Sequence, residues 1–363
     1  MAFFGCKKDD SVSGQGDTNG CFYFEAVDAG AVVSMVKYAD YGDSCKAPDV
    51  SLEYSLNKSN WSPFVVGETS VRLNNAGDRV YIRAIGKNDS FGSRYYSEER
   101  DVWAYHNFSA SERVKVGGNI MYLLDETGSK KNFDTLSNKY VFYSLFLNMD
   151  KLTDASKLSL PAKTLAEFCY ESMFYGCASL TVAPELPATT LAKGCYCGMF
   201  YRCTSLIVAP ELPAKTLAEN CYNTMFTRCK SLTVAPELPA KTLAEHCYFN
   251  MFLGCTSLTA APELPATTLA EYCYYNMFSE CTSLTVAPKM LATTLAVRGC
   301  YEMFEGCSSL QSIEVNFTEW TEYGTTSWLQ GVSATGTFTC PAELDVTKRG
   351  GDRIPEGWTI VTK

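Results

Sequence analysis

The chain contains very little histidine: His106 and His246 are the two in 363 residues. A Ser or Cys nucleophile usually needs a neighbouring histidine as its base, and most protein zinc sites use CxxC pairs or cysteine together with histidine. The sequence has no CxxC pair and no glycine-rich phosphate-binding pattern. We therefore expect no catalytic residues, no metal site and no cofactor.

The sequence also lacks long apolar runs and an excess of basic residues. No stretch of 18 or more apolar residues occurs, which excludes a transmembrane helix. The net charge of −9 and the pI near 5.0 disfavour a nucleic-acid partner. Hydrophobic residues make up 46% and charged residues 20%, as in a globular protein.

What dominates the sequence is an internal repeat with a strict period of 26 residues. Its copies are best aligned on the motif Leu-Pro-Ala, which begins at Leu160, Leu186, Leu212, Leu238, Leu264 and Met290. Columns such as Cys-Tyr, Met-Phe and Ser-Leu barely change between copies. Such sameness is expected where each copy packs only on its neighbours, so we predict a solenoid.

Within one copy, Cys221, Met225 and Cys229 follow an i, i+4, i+8 spacing, which is typical of one face of a helix. The segment LTVAP after Ser231 suits a short strand that ends at Pro236. The predicted fold is therefore an α/β solenoid with 26-residue rungs, each built from a short helix and a short parallel strand.

The regions around the repeats divide the chain further. Residues 21–113 alternate apolar and polar positions without a helical period, which predicts a small all-β sandwich. The full division is 1–20 as a lipoprotein-like N-terminus and linker, 21–113 as the β-sandwich, 114–159 as a transition with a degenerate first rung, 160–315 as six repeats, and 316–363 as a C-terminal cap.

The repeat cysteines are predicted to be buried, free thiols that fill the core beside Met and Leu. Two of them in one helical rung would lie about 12 Å apart, too far for a disulfide. Stacked cysteines of neighbouring rungs would point in parallel rather than at each other. Disulfides remain an alternative, as does a bond between Cys21 and Cys45 in the β-sandwich.

The segment MFTRCKSLTVAPELP resembles the BspA-like leucine-rich-repeat surface proteins of gut and oral anaerobic bacteria. Phe226, Cys229, Leu232 and Pro236 match the family's pattern in turn. The ending SWLQGVSATGTFTCP also looks like the C-terminal cap of such proteins. The resemblance implies a solenoid of leucine-rich-repeat type, display on the cell surface, and adhesion or ligand binding without catalysis.

The N-terminal segment MAFFGCKKDD resembles the end of a bacterial lipoprotein signal, in which a cysteine is cleaved and lipidated. Cys6 would be that cysteine, and the Lys-Lys-Asp-Asp that follows looks like an export motif for the outer surface of the outer membrane. We expect a lipid anchor in the outer membrane as the protein's only membrane contact, provided that upstream signal residues precede Met1.

Aromatic residues recur at variable positions of the predicted outer face of the rungs. Exposed aromatic rings favour contact with sugar rings or with protein. The candidate ligand-binding residues are Phe168, Tyr175, Tyr201, Phe249, Tyr272 and Tyr275. The alternative is that neighbouring side chains cover these rings and that they bind nothing.

These patterns predict a non-catalytic, surface-displayed protein that recognises an extracellular protein or glycan. An accessory role in a glycan-uptake complex is not separable from that function by sequence. The alternative from a different class is a structural or decoration component of a phage or cell-envelope assembly.

Overall fold

The computed structural model of the protein describes residues 20–39, 46–96, 101–126 and 133–363. Within these ranges, the regular structure consists of thirteen strands and one 3-10 turn at Ile120–Leu123. The strands are β1 Tyr23–Ala26, β2 Ala31–Ala39, β3 Leu52–Ser55, β4 Ser62–Phe64, β5 Ser70–Leu73, β6 Arg79–Ala84, β7 Gly92–Tyr96, β8 Asp101–Ala110, β9 Val114–Asn119, β10 Leu152–Ser159, β11 Ser312–Glu314, β12 Gly336–Cys340 and β13 Trp358–Thr362.

The first ten strands form two sheets. The larger sheet has the order β10-β9-β1-β6-β3-β4 and the smaller one β5-β2-β8-β7. Burial alternates along the strands, as in β6, because one face of each sheet is turned to the shared core. Two strands that follow residue 113, β9 and β10, belong to the larger sheet, and they pair with each other in parallel.

The core between the sheets continues into the repeats. Phe108 lies at the centre of an aromatic cluster, with ring centroids 5.0 Å from Phe24 and 6.0 Å from Phe146. Phe146 in turn stacks on Phe174 of the first full repeat at 5.1 Å. Most of the buried apolar side chains therefore form one continuous cluster from Cys21 to Trp358, and Ala47, Val102 and Ala104 form a small separate one.

Each repeat forms one rung of a stack, held by hydrogen bonds that alternate in direction. The N–H of Tyr222 donates to the carbonyl of Cys247 in the next rung at 3.1 Å. The N–H of Asn223 instead donates back to Asn220 at 3.2 Å and closes a turn. The same alternation recurs along each rung, so its backbone groups are paired without a helix or an extended strand.

The predicted α/β solenoid of leucine-rich-repeat type is wrong, because no α-helix occurs among the described residues. Where a helix was expected, every fourth residue has a left-handed backbone, with φ of 57° at Asn220, 54° at Thr224 and 60° at Arg228. A left-handed residue interrupts an α-helix. The described chain is instead β-rich, and its mixed sheets are not closed.

The i, i+4 spacing of the inward residues predicted a helix wrongly, because a series of four-residue turns produces the same spacing as an α-helix. In each rung two neighbouring residues point inward and the next two point outward, so Cys221, Tyr222, Met225, Phe226 and Cys229 are all buried. The inward columns are therefore those that the sequence suggested, although the backbone that carries them is different.

The buried columns form ladders through the stack. Phe200, Phe226 and Phe252 stack with centroids 5.6 Å apart at each step. The thiol of Cys229 donates to the carbonyl of Phe200 at 3.1 Å, and five other cysteines make the same contact with the preceding rung. Those five are Cys177, Cys203, Cys255, Cys281 and Cys307.

The last repeat is covered by residues that continue the stack. The N–H of Phe304 donates to the carbonyl of Trp328 at 2.9 Å, and the Trp328 ring is fully buried. Strands β11, β12 and β13 then close this end as a three-stranded parallel sheet. These residues shield the apolar end of the stack from water.

Outside the four-residue turns, successive rungs also touch through single parallel bridges, such as Val208 with Val234. These two side chains are 61% and 58% exposed, so the bridge side of the stack presents an apolar strip. In the described part of the chain, no helix has the length and apolar character needed to cross a membrane.

Candidate functional site

The six candidate aromatic residues lie on the turn side of the rungs, each half-buried. They do not form one continuous row. Phe249, Tyr272 and Tyr275 lie together near the C-terminal end of the stack, whereas Phe168, Tyr175 and Tyr201 lie at its N-terminal end. The structure therefore divides the predicted binding face into two regions.

The C-terminal region contains an aromatic platform built from two parallel rows. In the first row, Phe249, Tyr275 and Tyr301 stack with centroids 4.6 Å apart at both steps. In the second row, His246 stacks on Tyr272 at 4.6 Å. We define the platform as these five residues together with Arg298.

Arg298 completes the second row and gives the platform a positive charge. Its Nη1 donates to the Tyr272 hydroxyl at 3.2 Å, and its guanidinium lies 5.6 Å from the Tyr272 ring centroid. Negative charge lies close by, because the Glu302 carboxylate raises the pKa of the Tyr301 phenol. The platform thus combines aromatic rings with charges of both signs.

The stacking decides which part of each platform ring can meet a ligand. Rings 4.6 Å apart and within 13° of parallel cover each other's faces, as for Tyr275 between Phe249 and Tyr301. The Tyr275 ring is therefore left with its edge, and not its faces, for contact with a ligand. Sugars stack on ring faces, so this geometry suits contact with protein groups better than contact with a sugar ring.

At the N-terminal end, the candidate residues pack beside aromatic residues of the β-sandwich. Phe168 stacks on Tyr140 at 5.2 Å, and Tyr175 stacks on Tyr201 at 4.6 Å. The Arg94 guanidinium of β7 lies 6.0 Å from the Phe168 ring and 4.0 Å from the ring of Trp103. The repeats and the sandwich therefore share one aromatic surface.

A concave site lies on this shared surface, and we refer to it as the junction cavity. Its volume is about 330 Å³, at the small end of the range for ligand pockets. The residues that line it are Tyr38, Trp103, Tyr105, Tyr143, Ser144, Leu147, Asn148, Ser172 and Tyr175. Of these nine residues, only Tyr175 is among the ligand-binding candidates predicted from the sequence.

The sheet fixes the aromatic walls of the junction cavity. Tyr38 and Tyr105 face each other across the antiparallel pair of β2 and β8, and their rings stack at 4.9 Å. Trp103 stacks on Tyr143 at 5.1 Å with planes 7° apart. Directly opposed side chains in a sheet are held close by the backbone, so strand pairing holds the Tyr38 and Tyr105 rings together.

The two histidines occupy separate regions. His106 is buried in the sandwich, where its Nε2 lies 2.8 Å from the Pro48 carbonyl oxygen and burial lowers its pKa. It borders a second cavity of about 410 Å³ between β2, β3 and β4. His246 belongs to the platform, and it lies 3.3 Å from Glu245.

The cysteines of the repeats are free thiols, and burial raises their pKa values, to about 12 for Cys247. Cys21 is disulfide-bonded, while its candidate partner Cys45 lies outside the described residues. The lipidation candidate Cys6 also lies outside them. Within the described ranges, no cluster of three or more His, Cys, Asp or Glu side chains could hold a metal ion.

No protein-family model matches the sequence, and neither a curated protein nor a solved structure matches it. What the chain binds is therefore inferred from the geometry of its own side chains.

Proposed function

We propose that this protein is a non-catalytic binding protein of the cell surface that recognises an extracellular protein or glycan. The observation that carries the proposal is the aromatic platform, in which Phe249, Tyr275 and Tyr301 form one half-exposed row beside His246 and Tyr272. Tyrosine, phenylalanine and arginine are enriched at the centres of protein interfaces. A preordered patch of these residues loses little side-chain entropy when it binds.

Within this proposal, the platform takes a protein ligand. Both faces of the Tyr275 ring are covered by Phe249 and Tyr301, whereas the Arg298 side chain beside them is exposed to solvent. Such groups recognise the backbone carbonyls, carboxylates and aromatic rings of a protein.

Display on the outer membrane is the second part of the proposal. It is supported by the resemblance of the Cys6 segment to a lipoprotein export signal and by the resemblance of the repeat motif to BspA-like surface proteins. Detection of lipid-modified Cys6 by mass spectrometry in the native host tests this part independently of binding. An unmodified Cys6 would leave the binding proposal intact and remove the anchor.

The test of binding compares the full chain with the double variant Tyr272→Ala/Tyr275→Ala. Both are applied to immobilised collagen, laminin, fibronectin and mucin, and affinities are measured by biolayer interferometry. An aromatic side chain at the centre of an interface contributes on the order of 1–2 kcal/mol, so the double variant should bind roughly tenfold or more weakly.

The matched control is Tyr95→Ala, since Tyr95 is 55% exposed on β7 and lies outside the platform. It should bind like the unaltered chain. Equal binding by the double variant and this control would refute the platform as the site. Absence of binding to any of these proteins and to a glycan array would favour the structural or assembly role instead.

A further inference from the structure

We propose that the apolar strip formed where the rungs bridge is a docking surface for a cationic amphipathic α-helix of a partner protein. The strip is a column with one residue from each of five rungs, namely Val182, Val208, Val234, Ala260 and Val286. None of these residues belongs to the platform, so the proposal does not depend on what the platform binds.

The strip is exposed, although the fold does not require apolar side chains at this column. Its four valines are between 45% and 61% exposed, and Ala260 is exposed as well. The parallel bridge of Val182 with Val208 is made by backbone groups, which would pair equally well beneath polar side chains. The same bridged column holds Asp154 before the strip and Ser312 after it. Apolar residues are thus confined to five neighbouring rungs, as in an interaction surface.

A row of glutamates accompanies the strip, and we call it the acidic row. It lies three residues after the strip residue in four of the five rungs and consists of Glu185, Glu211, Glu237 and Glu263, all exposed. Within the described part of the chain, none of the four forms an ion pair, and this includes Lys215 and Lys241 four residues further along two rungs. In the fifth rung the position is Lys289, which pairs with Glu314 at 3.1 Å. The acidic row therefore presents unpaired negative charge.

This charge selects the kind of partner. Complementary charges across an interface speed association and exclude wrong partners, so a segment rich in Lys or Arg is favoured and an anionic one is repelled. A second copy of this chain is disfavoured for the same reason, because it has a net charge of −9 and carries the same acidic row. We therefore assign the strip to a cationic partner.

The spacing of the rungs favours a helix as the partner's docking element. Stacked rings of neighbouring rungs lie between 4.6 and 6.1 Å apart. One turn of an α-helix advances by about 5.4 Å, within this range, so a helix along the stack presents one apolar turn to each rung. Two residues of an extended strand advance by about 6.7 Å and would lose register. Five rungs accommodate a helix of about four turns, or about 15 residues.

The width of such a helix brings its basic side chains to the acidic row. Three residues of chain span at most about 10 Å, which sets the largest separation of Val208 from Glu211. A helix with its side chains is about 10–12 Å wide. Apolar residues at i, i+3, i+4 and i+7 can therefore cover the valines while lysines on one flank reach the glutamates.

The experiment titrates the full chain into a fluorescein-labelled synthetic helix of about 15 residues, with leucines along one face and lysines along one flank, and follows fluorescence anisotropy. Two matched peptides carry glutamate in place of every lysine or serine in place of every leucine. We expect saturable binding of the cationic peptide below about 1 mM, weakening as salt is raised, and no binding of either matched peptide.

The variant Val208→Ser/Val234→Ser tests the apolar contact. It should weaken binding of the cationic peptide roughly tenfold, because less apolar surface is removed from water on binding. The control Val36→Ser/Leu56→Ser replaces side chains of the sandwich that are 44% and 56% exposed. It should bind like the unaltered chain.

The variant Glu211→Lys/Glu237→Lys tests the charge. It should bind the cationic peptide roughly tenfold or more weakly and should gain binding of the peptide with glutamates. The control Glu68→Lys/Glu112→Lys changes the net charge by the same amount at exposed positions of the sandwich, so it should keep the preference for the cationic peptide. All substituted side chains are exposed, which preserves the core in each variant.

The platform variant Tyr272→Ala/Tyr275→Ala should retain full peptide binding, which separates this proposal from the preceding one. Absence of binding by the cationic peptide, equal binding by the peptide with serines, or unchanged binding by Val208→Ser/Val234→Ser would each overturn the proposal. Dimerisation of the unaltered chain in analytical ultracentrifugation that Val208→Ser/Val234→Ser abolishes would assign the strip to a second copy and would overturn it as well.

Discussion

The thiol of Cys229 donates a hydrogen bond to the carbonyl oxygen of Phe200 in the preceding rung, across 3.1 Å. The same carbonyl also accepts from the N–H of Cys203, so two donors from successive rungs converge on one acceptor. The cysteine column therefore fills the core and also ties each rung to the one before it.

We predict that Cys229→Ala lowers the free energy of unfolding by about 1–2 kcal/mol, through the lost thiol contact and the small cavity that remains. The control is Cys221→Ala, because Cys221 is equally buried in the same rung and makes no such thiol–carbonyl bond among the described residues. Urea unfolding measures both. Equal costs would show that the cysteines only fill space.

The left-handed residues of the rungs predict which of two substitutions at Arg228 is the more stable, and a helix would predict the opposite order. Arg228 has φ of 60°, and the equivalent positions in three other rungs are Gly176, Gly254 and Gly306. Arg228→Gly should be more stable than Arg228→Ala by up to about 1 kcal/mol, since a left-handed backbone favours glycine. In a helix the alanine variant would be the more stable by a similar amount.

A comparison of two phenylalanines tests which ladder carries the stability. Phe226 is fully buried between Phe200 and Phe252, whereas Phe249 is half-buried on the platform. Phe226→Ala should lower the free energy of unfolding by about 3–5 kcal/mol, and Phe249→Ala by less than half of that. Chemical denaturation measures both, and similar losses would contradict the division into core and surface columns.

Alkaline pH should destabilise the protein more steeply than is usual. Burial raises the pKa of the Cys247, Cys300 and Cys307 thiols to about 12, above the ordinary value of 9.0. A raised folded-state pKa means that the folded state holds its proton more tightly, so this stability is complete below pH 9 and is lost as pH rises above it.

Each such thiol contributes up to about 1.4 kcal/mol per pH unit between the two pKa values. The urea midpoint should therefore fall sharply between pH 9 and pH 10 and change little between pH 7 and pH 8. In the variant Cys247→Ala, the urea midpoint should fall less steeply with pH, because one buried titrating thiol has been removed. A midpoint that stays constant to pH 10 would show that the thiols are accessible in the folded state.

The sequence predicted the sandwich strands and the inward columns but not the rung backbone. The apolar–polar alternation within residues 21–113 indicated strands, and strands such as β3 and β6 occur there. The apolar pattern of the repeat is enough to predict which columns are buried, so the inward columns were predicted correctly. Their backbone was missed because inward positions at Cys221, Met225 and Cys229 fit both a helix and a series of four-residue turns.

The junction cavity could not be found from one segment, because its walls come from distant parts of the chain. A signal was present in β8, where Trp103 and Tyr105 alternate with the buried Ala104 and His106, so both rings lie on the outer face. The register that places Tyr38 against Tyr105 is a property of strand pairing, which the sequence pattern alone does not specify.

The ladders between rungs make the length of the stack adjustable. Every rung contacts only its neighbours, and one step measures 5.6 Å between the rings of Phe200 and Phe226. Removal of the 26 residues 212–237 would rejoin identical Leu-Pro-Ala copies and shift the platform one step closer to the junction cavity. The number of repeats thus sets the distance between the platform and the junction cavity in steps of one rung.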